Sequence, residues 1–170
     1  MVGSCFHQIS GDRAMITLKS ILVPTDFSKQ SQSAIRYGIE FAKKFGAKLH
    51  VLHVVQDVSI FIPEMGFINP SAALSNIEPM LLAAGKSLAD FLEPYKHHGI
   101  ELISHCQEGN PIDEIISLAT DENIDLIILG THGHTGLKHL FLGSLAETLV
   151  RKSPCPVLSL RNPEHEFVSS

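Results

Sequence analysis

Short apolar runs alternate with amphipathic stretches along most of the chain. Ser20-Ile21-Leu22-Val23-Pro24 is continuously hydrophobic up to a proline, the pattern of a strand buried on both faces that ends where the backbone N–H is lost. From Lys29 to Lys44 the positions Ile35, Ile39, Ala42 and Phe45 recur at helical spacing, with Ser28 or Ser31 placed as N-cap and Gly46 as the stop. Lys48 to Val55 is β-branched and apolar enough for a second strand, parallel to the first because a helix lies between them. A long connection, Gln56 to Leu74, carries Pro63, Gly66 and Pro70 with Phe61, Ile62 and Phe67. It reads either as a flap over a ligand or as an excursion packed on the domain or on a second subunit. Ser75-Asn76-Ile77-Glu78 has capping-box spacing, and Leu81, Leu82, Leu88, Phe91 and Leu92 carry a helix toward Gly99, with Pro94 kinking it or ending it early.

Ile100 to Cys106 alternates, which predicts a third strand nearer a sheet edge. Asn110 and Pro111 start a helix as N-cap and N1, and Ile112, Ile115, Ile116 and Ala119 form its buried stripe as far as Glu122. Ile124 to Leu129 is another continuous apolar run and stops at Gly130. A helix from about Leu145 to Lys152 ends in basic Arg151 and Lys152, Pro154-Cys155-Pro156 breaks it, and Val157 to Leu160 is the last strand. The pattern predicts an α/β fold, a Rossmann-like doubly wound sheet of five parallel strands with four main helices. With strand order 3-2-1-4-5 the winding reverses between strands one and four, so a ligand belongs between Pro24-Thr25-Asp26 and the segment Gly130 to Ser144.

That segment has its own chemistry. Gly130, Gly133 and Gly136 admit backbone conformations closed to residues with a Cβ, and Gly143-Ser144 stands at a helix mouth. Such a loop is either a phosphate cradle, in which backbone N–H groups and the helix dipole face an anion, or a plain turn between strand and helix.

Composition narrows the field. A chain of 170 residues suits one domain, read here as residues 18–161 between tails 1–17 and 162–170. Met15 is an alternative start, since the globular pattern begins at Leu18. A net charge of -5 argues against a nucleic-acid surface, so an anion site must be local. Three cysteines (Cys5, Cys106 and Cys155) lack metal-ligand spacing and fit a reducing compartment, with cytoplasm as the expected location. The N-terminal segment has no apolar core of a secretory signal, and no run reaches the roughly 18 to 20 apolar residues of a membrane span.

Together these residues resemble a known family. Gly130-x-x-Gly133, nine residues, then Gly143-Ser144 is the Gly-2x-Gly-9x-Gly-Ser/Thr pattern of the ATP-binding branch of the universal stress proteins. The likeness extends to Ile21 through Ser28, Leu52-His53-Val54, Gly109-x-Pro111 and Pro154-Cys155-Pro156-Val157. It implies that Pro24, Thr25, Asp26 and Val54 line an adenosine pocket. Gly130, Gly133, Gly143 and Ser144 would hold ribose and phosphates, and Leu129, His132, His134 and Leu145 complete the set. It further implies ATP as ligand, a divalent cation (Mg or Mn) between the phosphates, and a homodimer through the last strand, Pro156 to Leu160. Pairing that edge with its twin also removes an exposed ladder.

Rival readings have less behind them. The loop is no Walker A, and strand one leads into Pro-Thr-Asp rather than a Gly-x-Gly-x-x-Gly turn, which sets NAD aside. His132, His134 and His139 have no Cys or carboxylate at metal-site spacing, and His50 and His53 in a buried strand read as hydrogen-bonded core or pocket residues. A nucleotide-free scaffold would not need Gly133 and Gly143. A nucleotide-dependent stress-response or signalling module with at most slow hydrolysis is expected. The alternative is a true enzyme, an ATPase or nucleotidyltransferase, with Asp26 and His132 as the candidate groups. Where many relatives carry Arg or Lys, this chain has His134; a histidine with the ordinary pKa of about 6.5 is mostly neutral at pH 7, so cationic help for the phosphates would rest on Lys138 or on partial protonation. ATP affinity is therefore expected to rise as pH falls from about 8 toward 6; calorimetric titration giving a flat affinity over that range would remove His134 from the site.

Overall fold

Hydrophobic alternation within each apolar run decides how the layers form. In the computed structural model, which describes residues 16–56, 70–130 and 144–160, Ile21 and Val23 enter one core cluster while Leu22 between them enters another. Leu49 and Val51 likewise separate from Leu52, and Ile128 from Ile127 and Leu129. These strands therefore need a helix layer on each face.

The strands are β1 (Ser20–Pro24), β2 (Lys48–Val55), β3 (Leu102–Glu108), β4 (Leu126–Gly130) and β5 (Val157–Leu160). They form one parallel sheet in the order β3-β2-β1-β4-β5, as the sequence predicts. Helices α1 (Lys29–Phe45) and α2 (Pro70–Leu92) cover one face, and α3 (Pro111–Asp121) and α4 (Ser144–Lys152) the other. Fully burying each Leu, Ile or Val is worth about 1.5–3 kcal/mol against a net stability of only about 5–15, so no single central strand is dispensable.

Caps set the helix limits where the sequence places them. Ser28 accepts from the Ser31 N–H, Gly46 closes α1 in the left-handed conformation, and Asn110 accepts from the Ile112 N–H with Pro111 at N1. Close approach needs Gly38: a Cβ there would lie 2.8 Å from Leu49 Cδ1 and 3.0 Å from Val23 Cγ2, so α1 settles directly on the β1–β2 pair. At the start of the sheet Asp125 Oδ2 accepts from the Lys19 and Ser20 N–H groups at 2.6 and 3.0 Å, pinning β1 beside β4.

Several expectations are corrected. Helix α2 starts at Pro70 rather than at the Ser75 capping box, because a proline at the first helical position supplies the right φ and loses no bond. It contains Pro79 and ends at Leu92, where Pro94 turns the chain into a short 3-10 segment, Glu93–Tyr95. Leu82 is 74% exposed and Phe45 36%, although both fit a helical stripe. Helix α2 lies over β2 and β3, the edge pair, so part of its apolar surface has no sheet beneath it. Strand β3 runs to Glu108, past the predicted Cys106, and is the edge strand that its alternation suggests. Residues 57–69 of the long connection lie outside the described residues.

Two histidines are joined across β2 and β3. His50 is 1% exposed, its Nδ1 lies 3.0 Å from His105 Nε2, and the rings stack with centroids 5.2 Å apart. His50 Nε2 is buried without a hydrogen-bond partner among the described residues. A protonated imidazole donates from both nitrogens, so charging His50 would leave a buried N–H orphaned. Burial pushes both pKa values down from the usual 6.5; His105 and then Lys48 add to this at His50, while Glu122 opposes it at both rings and Glu101 at His50. A folded pKa below the unfolded one means that the unfolded chain binds more protons just below about pH 6.5. The pair's contribution is thus complete above that pH and is lost as pH falls toward the lowered values. We expect Tm to decline from pH 7 to 5 more steeply in the native chain than in His105→Gln; parallel curves would show that the pair titrates as it does when unfolded.

Candidate functional site

Parallel pairing of β1 with β4, Ile21 opposite Leu126 and Leu22 opposite Ile127, brings their carboxyl ends to one edge of the sheet. Helix α1 leaves β1 for one face and α4 leaves β4 for the other, which opens a crevice between them. Because α4 must return the chain to the start of parallel β5, its N-terminus lies at that same edge. The topology therefore puts Pro24, Thr25, Asp26, Gly130, Ser144 and Leu145 at the same end of the sheet, with Val54 at the end of the adjoining β2.

Each described residue has a distinct setting. Thr25 is 7% exposed and internally engaged: its N–H donates to Leu52 O at 2.8 Å, and its hydroxyl donates to Ser31 Oγ at 2.9 Å while accepting from the Phe27 N–H at 3.0 Å. Its carbonyl accepts from His53 Nδ1 at 2.9 Å. Asp26 is half-buried, and its Oδ1 accepts from the Ser28 N–H at 3.0 Å, an Asx turn leading into the α1 cap. Phe27 between them has φ of 64°, a left-handed conformation that costs a residue with a side chain about 1–3 kcal/mol.

Gly130 is present for a reason other than its backbone angle. The described glycines with positive φ are Gly46, Gly99 and Gly109, whereas a Cβ on Gly130 would lie 2.9 Å from Gln30 Cβ and 3.2 Å from the Gln30 carbonyl. The first turn of α1 thus crosses directly over the end of β4. Leu129 is 2% exposed and belongs to the core, and Leu145 packs against the same cluster from α4. Ser144 opens α4, whose first-turn N–H groups have no partner within the helix, and its carbonyl accepts from the Thr148 hydroxyl at 2.7 Å. His132, Gly133, His134 and Gly143, like Gly136, Lys138 and His139, lie outside the described residues.

A model of the universal stress protein family matches residues 17–161. The chain belongs to that family. It is 34% identical over 149 residues to universal stress protein MJ0531 of Methanocaldococcus jannaschii, covering 87% of this chain and 85% of that one. The solved structure of MJ0577 from the same organism superposes with a TM-score of 0.73 at 27% identity, over 88% of this chain and all (100%) of the other. A universal stress protein crystallised with cAMP shares the fold, with a TM-score of 0.63 at 20% identity, over 86% of this chain and 98% of that one.

Two side chains of this universal stress protein gain interest only in three dimensions. His53 is recognisable in sequence as a pocket or core residue, but not as the partner of the Thr25 carbonyl. Gln107 stands opposite Val54 in the β2–β3 register with a buried Oε1 that has no hydrogen-bond partner among the described residues, an acceptor beside the carboxyl end of β2. No motif points to it, since a lone glutamine in an edge strand carries no pattern. Among the described residues no cluster of three or more His, Cys, Asp or Glu side chains could hold a metal ion. Nor is any described helix long and apolar enough to cross a membrane. Because the Gln30 backbone has little room to move, Gly130→Ala is expected to lower stability by about 1–3 kcal/mol even without ligand. Thermal unfolding of the unliganded protein with an unchanged Tm would show that α1 can lift off β4.

Proposed function

We propose that this universal stress protein is a nucleotide-dependent stress-response or signalling module whose ligand is ATP. What supports the reading is the topology, which brings the Thr25–Asp26 turn, the end of β4 at Gly130 and the first turn of α4, three elements far apart in sequence, to the same end of the sheet. An anion suits that place, because the first-turn amides of α4 carry the positive end of the helix dipole and a net charge of -5 elsewhere gives no general attraction. The Gly-2x-Gly-9x-Gly-Ser spacing supports phosphates as the anion. Pro24, Thr25, Asp26 and Val54 form the side assigned to adenosine, with Thr25 contributing shape, since its hydroxyl is committed to the turn. The resemblance assigns Gly130, Gly133, Gly143 and Ser144 to the phosphate side, together with Leu129, His132, His134 and Leu145.

The donor set also fits a divalent cation carried by the nucleotide. Mg or Mn would neutralise phosphate charge and be held chiefly by phosphate oxygens, with Asp26 as the carboxylate at the β1 end of the crevice. The engagement of Asp26 Oδ1 by the Ser28 N–H favours a binding role over that of a general base. In keeping with a module, we propose a homodimer through the β5 edge and residence in the cytoplasm.

Thermal shift with ATP and Mg provides the test. A ligand at about 100 times its Kd adds about 2.7 kcal/mol, a rise in Tm of several degrees. Native protein is expected to show that rise and Gly143→Val to lose it while keeping its unliganded Tm. An equal response in both would count against the site. Phosphate release measured on the same samples separates module from enzyme: stoichiometric ATP retention without turnover supports the module, and sustained turnover abolished in Asp26→Ala with binding intact supports the enzyme.

A further inference from the structure

The turn bearing Thr25 and Asp26 is held in part from outside itself. Phe27 sits at φ 64°, a conformation that a phenylalanine seldom adopts, and the local bonds from Phe27 and Ser28 N–H groups to Thr25 Oγ1 and Asp26 Oδ1 span only neighbouring residues. Outside support comes from β2. Thr25 is gripped on both sides of its residue: its N–H donates to Leu52 O at 2.8 Å and its carbonyl lies 2.9 Å from His53 Nδ1. A carbonyl oxygen can only accept, so His53 Nδ1 carries the proton and donates it. The same imidazole packs on the Phe27 ring with centroids 4.3 Å apart, and Phe27 meets Phe91 of α2 edge-on at 5.2 Å. One side chain thus fixes the first residue of the turn by a hydrogen bond and the strained one by ring contact, from a strand that the turn does not belong to.

We infer that His53 is a positioning residue of the crevice: its Nδ1–H donor holds the Thr25-Asp26-Phe27 turn in the shape that presents Asp26 at the β1–β4 edge. The inference rests on the nucleotide-binding reading for its functional half and on the turn's geometry alone for its structural half. His53 does not touch the nucleotide in this scheme. Its effect passes through the Thr25 carbonyl, and Phe91 couples the same turn to the end of α2. Donor and ring can be separated by substitution. Asparagine places an amide N–H close to the position of Nδ1 and lacks the ring, whereas phenylalanine keeps a ring against Phe27 and lacks the donor.

The experiment compares native protein, His53→Asn and His53→Phe by ATP titration, by thermal unfolding without ligand and by amide hydrogen exchange. His53→Phe is expected to weaken ATP about tenfold, the equivalent of one lost hydrogen bond, and His53→Asn to stay within about threefold of native. Exchange at the Phe27 and Ser28 amides should speed up in His53→Phe and remain near native in His53→Asn, while amides in β4 are unchanged in both. ATP affinity in His53→Phe equal to native, or equal losses in the two variants, would overturn the role of the donor. Should native protein itself fail to bind ATP, the nucleotide reading falls by itself, and exchange still decides the structural half: unaltered Phe27 and Ser28 amides in His53→Phe would refute it.

Discussion

Burial of β1 and β4 on both faces is the constraint from which the rest of the molecule follows. Ile21, Leu22, Ile127 and Ile128 are 0% exposed, and they point alternately into two separate cores. Strands with no polar face must lie in the middle of a sheet sandwiched by helices. Parallel crossovers then send α1 to one side of the central pair and α4 to the other, the point of a doubly wound sheet at which ligands generally bind. Asp125 reinforces the same pairing at the opposite end by accepting from the backbone where β1 begins. Hydrophobic burial thus places the crevice before any residue in it is chosen for chemistry.

Within that crevice, residues of the motif divide their duties. The Thr25 N–H, carbonyl and hydroxyl are engaged with Leu52, His53, Ser31 and Phe27, and the absence of a side chain at Gly130 lets Gln30 pass. Both positions serve the architecture at the end of the sheet, whatever part they take in binding. Main-chain amides at the start of α4 are different, because no intrahelical acceptor exists for them. This division explains how a strained Phe27 is tolerated: its cost of about 1–3 kcal/mol is offset by hydrogen bonds of about 1 kcal/mol each and by aromatic contacts of about 0.5–1.5.

Two histidines three residues apart on β2 show how far context governs a side chain. His50 shares the face of Leu52, is buried against His105, and feels Glu122 at the end of α3. His53 faces the other layer and reaches the turn after β1. The first bears on the stability of an edge pair, the second on the geometry of the crevice. Alternation of side chains along a strand is enough to assign them to different faces; only the neighbours on each face assign them different work.

The linear chain already specified the alternation of strands and helices, the caps at Gly46 and Asn110, a serine cap at Ser28 or Ser31 that the fold assigns to Ser28, and the five-stranded order 3-2-1-4-5 with its reversal between β1 and β4. Periodicity, capping and burial on two faces are local or pairwise properties, and a string of residues carries them in full. It also nominated Gly130 and Ser144 as candidates by glycine spacing and a helix mouth, and Thr25 and Asp26 by the turn after the first strand and the family resemblance. The true start of α2 at Pro70, the exposed Leu82, the His50–His105 pair, the hold of His53 on Thr25 and the orphaned oxygen of Gln107 became definite only in the folded molecule. Each depends on which atoms from distant segments come within a few ångströms of one another. That is set by the packing of whole layers, whose register and separation no short stretch of sequence contains.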